Sequence, residues 1–246
     1  MKKLNLLLSL FAASLLLTSC LKEGDGSFSH PSDFAYITQD AEGLVYARTF
    51  YNGRGNFITS PGIKEVGPGN FVLASYSWNN ENGTVTTSEG YNVYNVITTE
   101  VSKPFSKTTL NMSPAPTEPL MSFKTIQRPI FSPDKFFDDH WAFSYTYKGK
   151  EGNAPIVNFY EAERTENQQA DEIIIDMRLN TIGTSTSEDK ELSDVIVVNM
   201  TPLRQKYSGS STTTTKTLTL KFRYYEEGKT EPVLSQYAYQ MVVAGN

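Results

Sequence analysis

Apolar and polar residues alternate with a period of two in several stretches of the second half of the chain. The alternation is clearest at 218–224, where leucine, phenylalanine and tyrosine alternate with threonine, lysine and arginine. The same pattern recurs at 141–147, 173–179 and 237–243, whereas 195–198 is continuously apolar. Alternation of this kind is typical of half-buried β-strands, and a short apolar run is typical of a strand buried on both faces. The pattern therefore predicts an all-β fold.

The first half of the chain contains weaker strand patterns separated by turn signals. Asn82-Gly83 predicts a hairpin turn, because both residue types adopt the positive φ angles that tight hairpins need. The best helix signal is short and lies at Ser132-Pro133-Asp134, where a capping residue precedes a proline. The strand candidates of this half are 34–38, 44–51, 57–63, 71–78, 91–101 and 108–112.

A proline-rich segment at 113–119 marks the predicted domain boundary. It contains three prolines in seven residues, and proline can neither donate to a sheet nor continue a helix. The sequence therefore predicts a Pro-rich linker at 113–119 between a domain at 33–112 and a domain at 120–246.

The N-terminus has the layout of a bacterial lipoprotein signal peptide. Two lysines precede an apolar stretch that ends in Leu17, Thr18, Ser19 and Cys20, which is a large aliphatic residue, two small residues and a cysteine. A thiolate is nucleophilic enough to accept a diacylglycerol, and Cys20 is the single cysteine of the chain. We expect a signal peptide at 1–19 that is cleaved before Cys20, and an acyl anchor of the palmitate type on that cysteine.

Residues 20–32 are predicted to form a flexible tether, because they include a polar, glycine-rich stretch that cannot pack. The expected location is the outer membrane. The Lys22-Glu23 pair resembles the charged tag that sends some lipoproteins to the cell surface. Two orientations are left open, one facing the cell surface and one facing the periplasm. The net charge is −5 for the full chain, and loss of Lys2 and Lys3 with the signal peptide makes it −7. Nucleic acid is therefore not an expected partner, since phosphate binding needs a basic face.

The order of these pieces resembles the NigD-like lipoproteins of Bacteroidetes. The resemblance is carried by the segments 68–76, 90–99, 139–147 and 194–203, and it extends over nearly the whole mature chain. It implies an N-terminal OB-like β-barrel followed by a C-terminal antiparallel β-sandwich. The family is named for its association with bacteriocin operons, which suggests immunity. The sequence departs from the family at the tether, which lacks a run of aspartates, and at 52–57.

No constellation of residues in the sequence points to catalysis, a metal or a cofactor. The mature chain has two histidines, His30 and His140, and its thiol is committed to lipid, so no metal site is expected. A base with an orienting carboxylate can be drawn at Asp138-Asp139-His140, but neighbouring strand residues point to opposite faces. This segment is interpreted instead as a polar turn leading into Trp141. The acidic residues Glu161, Glu163, Asp171 and Glu172 are only weak candidates for glycoside hydrolysis.

Aromatic residues are the best candidates for ligand binding. Tyr76, Trp78, Tyr91 and Tyr94 lie on successive strand candidates of the OB-like domain and could form a platform for sugar rings. The alternative is that most of them belong to the core. Trp141 and the Tyr224-Tyr225 pair of the second domain carry the same two interpretations.

The leading functional hypothesis is a non-catalytic binding or accessory module of the envelope. Its expected partners are the bilayer, through Cys20, and either a glycan or an envelope protein. The alternative is a protein-interaction or bacteriocin-immunity protein, and a hydrolase ranks third.

Overall fold

The structure, a computed structural model, describes residues 26–51, 54–116, 121–133, 136–166, 168–210 and 213–245. The described chain forms two compact units, the first ending at Lys103 and the second beginning at Pro104. The predicted signal peptide, Cys20 and the start of the tether lie outside the described residues. Strands dominate both units, which confirms the predicted all-β fold.

The first unit contains one sheet of seven strands with the order β5-β6-β3-β2-β1-β4-β7. Its core is small and comprises one face of β1 together with residues from the neighbouring strands, including Ile37, Ile58 and Val72. The elements are β1 (Phe28–Gln39), β2 (Val45–Tyr51), β3 (Arg54–Thr59), α1 (Pro61–Val66), β4 (Phe71–Trp78), a 3₁₀ turn (Asn80–Asn82), β5 (Thr84–Thr86), β6 (Asn92–Asn95) and β7 (Ile97–Val101).

The sheet of the first unit is open, which corrects the expectation of a barrel. Its two edge strands are β5 and β7, and within the described residues each pairs with one neighbour only. Closure of a barrel requires every strand to be paired on both sides. The edge strands are short, at three and five residues, so they offer little backbone for a closing ladder.

The first strand begins earlier than the sequence predicts. The sequence predicts a flexible tether at 20–32, but residues 28–32 form the start of β1, and His30 lies opposite Tyr76 of β4. A bulge between His30 and Asp33, where Ser32 has a φ of 57°, separates this early part of β1 from the strand candidate at 34–38. The Phe28 ring stacks on Trp78 with centroids 5.4 Å apart, and this contact supports the extra strand length.

The predicted hairpin at Asn82-Gly83 is wrong. Gly83 has the expected positive φ of 66°, but β4 pairs with β1 and β7, and β5 pairs with β6. The Asn79 side chain accepts from the backbone N–H groups of Glu81 and Asn82. It therefore caps a 3₁₀ turn between two strands that are not neighbours.

The strand candidate at 57–63 is half correct, because β3 ends at Thr59 and α1 follows. The Ser60 hydroxyl accepts from the N–H of Ile63, and Pro61 occupies the first helical turn. A capping serine before a proline is a helix-start signal, and here it overrides the apolar pattern. The candidate at 91–101 is likewise split into β6 and β7 at Val96.

The second unit is a sandwich of two sheets. One sheet has the order β8-β13-β10-β9, and the other has the order β11-β12-β14-β15 with β16 also paired to β14. The elements are β8 (Ser106–Thr109), β9 (Phe123–Ile126), β10 (His140–Lys150), β11 (Ala154–Glu161), β12 (Glu172–Ile182), β13 (Asp189–Asn199), α2 (Thr201–Tyr207), β14 (Thr215–Tyr224), β15 (Val233–Leu234) and β16 (Tyr239–Ala244).

The inner faces of the two sheets share one core. Phe143 of β10 lies 5.3 Å from Phe159 of β11 and 4.8 Å from Phe222 of β14, measured between ring centroids. The alternation predicted at 141–147 places four aromatic side chains in this core, each at most 3% exposed. The sandwich of the second domain is thereby confirmed.

Two strand pairs of the sandwich are parallel, so the description of it as antiparallel is wrong in part. β12 pairs in parallel with β14, and β13 pairs in parallel with β8. The chain crosses from β12 to β13 in the other sheet, passes through α2 and then returns to β14. A connection that leaves a sheet and comes back can deliver the next strand in the same direction.

The boundary between the units differs from the predicted linker at 113–119. Ser106 of β8 lies opposite Ile196 of β13, and Leu110 is buried in the core of the sandwich. The strand candidate at 108–112 therefore belongs with the second unit, and the chain passes between the units near Lys103. Residues 117–119 of the predicted linker lie outside the described residues.

Candidate functional site

Tyr76, a candidate ligand-binding aromatic, is a core residue of the first unit. Its side chain is 2% exposed. The hydroxyl donates to Asp33 Oδ2 at 2.7 Å and hydrogen-bonds with the Thr49 hydroxyl at 3.1 Å. Burial and the neighbouring Asp33 carboxylate raise the pKa of Tyr76. This ring therefore has no face available for a ligand.

Trp78 and Tyr94 pack with Phe28 against the core that contains Tyr76. The Phe28 ring stacks on Trp78 and meets Tyr94 edge-on at 5.2 Å, and Trp78 meets Tyr94 at 4.8 Å. The Trp78 indole N–H donates to the carbonyl of Gly83 at 2.9 Å. These contacts pack the rings against one another, and edge-on arrangements of this kind contribute to packing.

Tyr91, the fourth candidate, is 48% exposed and stacks on Phe57 with centroids 4.8 Å apart. Its ring partner thus differs from those of Trp78 and Tyr94. The structure brings Tyr76, Trp78 and Tyr94 together around Phe28 at one core, and it places Tyr91 in a separate, exposed stack.

The Asp138-Asp139-His140 segment is a turn, as predicted from the sequence. Asp138 and Asp139 have φ angles of 49° and 63°. Both carboxylate oxygens of Asp139 accept from Nε of Arg204 at 2.7 Å, and this buried pair joins the turn to α2. The Arg204 guanidinium also donates to the carbonyl of Val242. Asp139 is therefore engaged in holding two segments together.

His140 donates its Nδ1–H to the carbonyl of Phe137, 3.0 Å away. Burial lowers the pKa of His140 below its ordinary value. A neutral imidazole is expected at physiological pH. Its Nδ1 is engaged in the hydrogen bond to the turn that precedes it.

Other acidic side chains of the second unit form ion pairs with basic side chains of the protein. Glu161 accepts from Lys206 Nζ at 2.6 Å and from the Tyr207 hydroxyl. Glu172 accepts from Lys221 Nζ at 2.8 Å. Within the described residues there is no group of three or more histidine, cysteine or acidic side chains placed to hold a metal ion. In the same part of the chain, no helix is long and apolar enough to cross a membrane.

A small pocket in the second unit, which we call the aromatic pocket, brings together residues that are far apart in sequence. Its volume is about 80 Å³. It lies where the end of β9 meets β14 and the chain that leads into β16. The lining consists of residues 126–128, Phe143 of β10, Phe222 and Tyr224 of β14, residues 235–237, and Tyr239 of β16.

The base of the aromatic pocket is made by the sandwich core. Phe143 and Phe222 are buried, and Tyr224 and Tyr239 are partly buried at the edge of the same core. Burial raises the pKa of Tyr224 and of Tyr239, so both phenols stay protonated at physiological pH and can donate a hydrogen bond. Alternation along β14 is what turns Phe222 and Tyr224 to the same side.

The rim of the aromatic pocket carries a stacked arginine. Cζ of Arg128 lies 3.7 Å from the centroid of the Tyr237 ring, and both residues are exposed. The loop that carries Tyr237 is held in place by Ser235, whose hydroxyl donates to the Tyr237 carbonyl at 2.8 Å and accepts from the N–H of Phe222 at 3.2 Å. Arginine over an aromatic face is a favourable cation–π contact.

Sequence reasoning identified only part of this pocket. Tyr224 was named as a candidate and does line it, whereas Trp141 is a core residue that stacks on Phe131 at 4.1 Å. Arg128 and Tyr237 were missed as a pair, because nothing in the sequence relates two positions more than a hundred residues apart. A usable signal was Pro129, because proline interrupts a strand, and Arg128 lies exposed two residues after the end of β9.

The fold is shared with solved proteins of Bacteroides and Parabacteroides. An uncharacterized protein from Parabacteroides merdae matches with a TM-score of 0.58 at 12% identity, over 87% of this chain and 99% of that one. A protein of unknown function, DUF1344, from Bacteroides vulgatus gives 0.56 at 12% identity, over 87% and 90%. A NigD-like immunity protein from Bacteroides caccae gives 0.52 at 12% identity, over 86% and 98%.

These matches extend over both units, so the succession of an open sheet and a sandwich is a known arrangement. The resemblance to NigD-like lipoproteins seen in the sequence is thus matched at the level of the fold. None of the three proteins is described as an enzyme. No family model and no curated protein sequence matches the chain.

Proposed function

We propose that the protein is a NigD-like lipoprotein of the bacterial envelope, anchored through Cys20, and that it acts as a non-catalytic binding module. The aromatic pocket is the proposed binding site. The observation that carries this proposal is the Arg128–Tyr237 stack at the rim of a pocket with aromatic walls. Tyrosine and arginine exposed together beside an apolar pocket are typical of binding surfaces.

The anchor is supported by the sequence Leu17-Thr18-Ser19-Cys20 and by the absence of any other cysteine in the chain. Several acyl chains hold a protein on a bilayer more firmly than one, because each buried methylene contributes about 0.8 kcal/mol. The outer membrane is the proposed location. Labelling of the precursor with radioactive palmitate, in the wild type and in Cys20→Ala, tests this part of the proposal.

A non-catalytic role is supported by the engagement of the acidic groups. Asp139, Glu161 and Glu172 each bind a basic side chain of the protein itself. A general acid or base must instead reach the substrate. These carboxylates are therefore better explained as parts of the fold.

The binding role is tested with residues 21–246, presented to a glycan array and in parallel used as bait for extracted envelope proteins. We expect a partner that is lost in Tyr237→Ala and kept in Tyr91→Ala. Tyr237 and Tyr91 are 39% and 48% exposed, so the two substitutions remove similar aromatic surfaces in different units. A partner retained by both variants would show that binding occurs elsewhere.

A second candidate function is bacteriocin immunity through interaction with a protein toxin. It is favoured by the shared fold with a NigD-like immunity protein. Deletion of the gene tests it, since an immunity protein is expected to lower bacteriocin sensitivity. Unchanged sensitivity of the deletion strain would exclude this role. Protease treatment of intact cells decides between surface-facing and periplasm-facing orientations.

A further inference from the structure

The size of the aromatic pocket restricts what can enter it. Its volume is about 80 Å³, whereas sites for small-molecule ligands usually measure about 300–1,000 Å³. On this measure a single water needs roughly 10–15 Å³, so the pocket holds on the order of six waters. That space suits one side chain of a larger molecule better than a complete ligand.

The walls of the aromatic pocket favour an apolar group. Phe143 and Phe222 close its base and are 1% and 2% exposed. Tyr239 meets Phe222 edge-on with centroids 5.8 Å apart, which leaves an aromatic surface on the side of the pocket. An aliphatic or aromatic side chain placed here would exchange water for ring contacts.

The rim of the pocket favours a negative charge next to that apolar group. Cζ of Arg128 lies 3.7 Å from the centroid of the Tyr237 ring, and the residue is exposed. Within the described residues, no hydrogen bond or salt bridge to Arg128 is formed. A guanidinium that contacts a ring and keeps its N–H groups for another partner suits a carboxylate, which can accept two parallel hydrogen bonds from it.

We propose that the aromatic pocket receives a protein partner, which inserts one apolar side chain and sets an adjacent carboxylate on Arg128. This inference rests on the proposed binding function and names the partner class. A sugar acid also carries a carboxylate, but a volume of about 80 Å³ is far below the roughly 300–1,000 Å³ of sites that enclose a complete small-molecule ligand. Small pockets that take one anchoring side chain beside an arginine are typical of protein–protein interfaces.

The test uses three small probes that separate the two chemical features. N-acetyl-L-phenylalanine carries both the ring and the carboxylate, and N-acetyl-L-phenylalaninamide carries the ring alone. Glucuronic acid carries the carboxylate on a sugar. Each probe is titrated into ¹⁵N-labelled residues 21–246, and binding is followed from the chemical shifts of the amides that surround the pocket.

We expect N-acetyl-L-phenylalanine to bind about tenfold more tightly than its amide, because a hydrogen-bonded charge pair adds this much to affinity. The Arg128→Gln variant is expected to remove the difference, and Arg128→Lys to restore only part of it, since lysine lacks the planar fork. Lys216→Gln removes an exposed cation from β14 and serves as the matched control. It should bind all probes as the wild type does.

The possible results divide clearly. Equal affinity for the acid and the amide would overturn the role of Arg128. Glucuronic acid binding as tightly as N-acetyl-L-phenylalanine would overturn the protein partner in favour of a sugar acid, and the binding function would stand. If none of the probes shifts the pocket amides, the inference fails as a whole. The binding function would then be judged separately by the array and bait experiment. Because Arg128 lies on the surface, its variants are expected to give the same amide spectrum as the wild type.

Discussion

The buried pair of Asp139 and Arg204 allows a strict test of whether the Asp138-Asp139-His140 turn is structural. The two residues are 5% and 8% exposed, and Arg204 also donates to the Val242 carbonyl. Arg204→Met leaves a buried carboxylate without its cation. Breaking a buried pair from one side costs about 3–5 kcal/mol, and we expect a loss of free energy of unfolding in this range.

The second half of the cycle is Asp139→Asn. Asparagine tolerates a positive φ, so the φ of 63° at this position adds no strain, and the loss comes from the unpaired guanidinium. We expect a similar penalty for this variant. The double variant should lose at least about 2 kcal/mol less than the sum of the single losses, because residues in direct contact are coupled.

The assay is urea unfolding followed by tryptophan fluorescence. The chain has two tryptophans, Trp78 in the first unit and Trp141 in the second. A Trp78→Phe background therefore reports on the sandwich alone. Lys190→Met provides the control, because the Lys190–Glu151 pair is largely exposed and exposed pairs contribute little. Additive losses, or a loss below about 1 kcal/mol for Arg204→Met, would refute the structural role given to the turn.

Three further predictions concern Tyr76, His140 and Cys20. Tyr76→Phe should lower the stability of the first unit by about 1–3 kcal/mol, because it leaves buried Asp33 without its donor, whereas Tyr91→Phe should have little effect in the same thermal denaturation. The lowered pKa of His140 means that its charged form favours the unfolded chain, so stability should fall as the pH drops below 6.5, and His140→Gln should reduce that fall in urea titrations at pH 7 and pH 5.5. Cys20→Ala should move the protein from the membrane fraction to the soluble fraction, and retention at the membrane would count against the anchor.

The long strands of the sandwich were predictable because their side chains divide cleanly between two environments. At 141–147 of β10 and 218–224 of β14, large apolar or aromatic residues alternate with small or polar ones. Such a pattern predicts both the strand and which of its two faces is buried. The sandwich could therefore be expected from 141–147 and 218–224 before any pairing was known.

The first unit was less predictable because local signals conflict there. Ser60-Pro61 starts a helix inside an apolar run, and Asn79 caps a turn where Asn82-Gly83 predicts a hairpin. Residues 28–32 contain proline and serine and do not alternate, yet pairing with β4 makes them a strand. In each case a tertiary or capping interaction decides the structure.

The candidate site could be predicted from the sequence only in part, for a different reason. Each of its segments has a plausible local interpretation, and only the packing of the sheet that contains β9 against the sheet that contains β14 and β16 brings Arg128 over Tyr237. The sequence names Tyr224 as a candidate, and this residue lines the pocket. It could not select a pocket from residues whose proximity depends on two sheets.

The early start of β1 at Phe28 has a consequence for how far the protein extends from its anchor. With lipid on Cys20, only residues 21–27 separate the acylated cysteine from the sheet. At roughly 3.3–3.6 Å per residue, that segment can extend about 25 Å at most. The first unit is then held close to the bilayer by a short linker. The volume within which the protein can meet a partner is therefore set by the size of the folded units and not by the length of the linker. Insertion of glycine and serine residues into this linker would enlarge that volume. It would thereby lower the effective concentration of any partner that is itself fixed to the membrane.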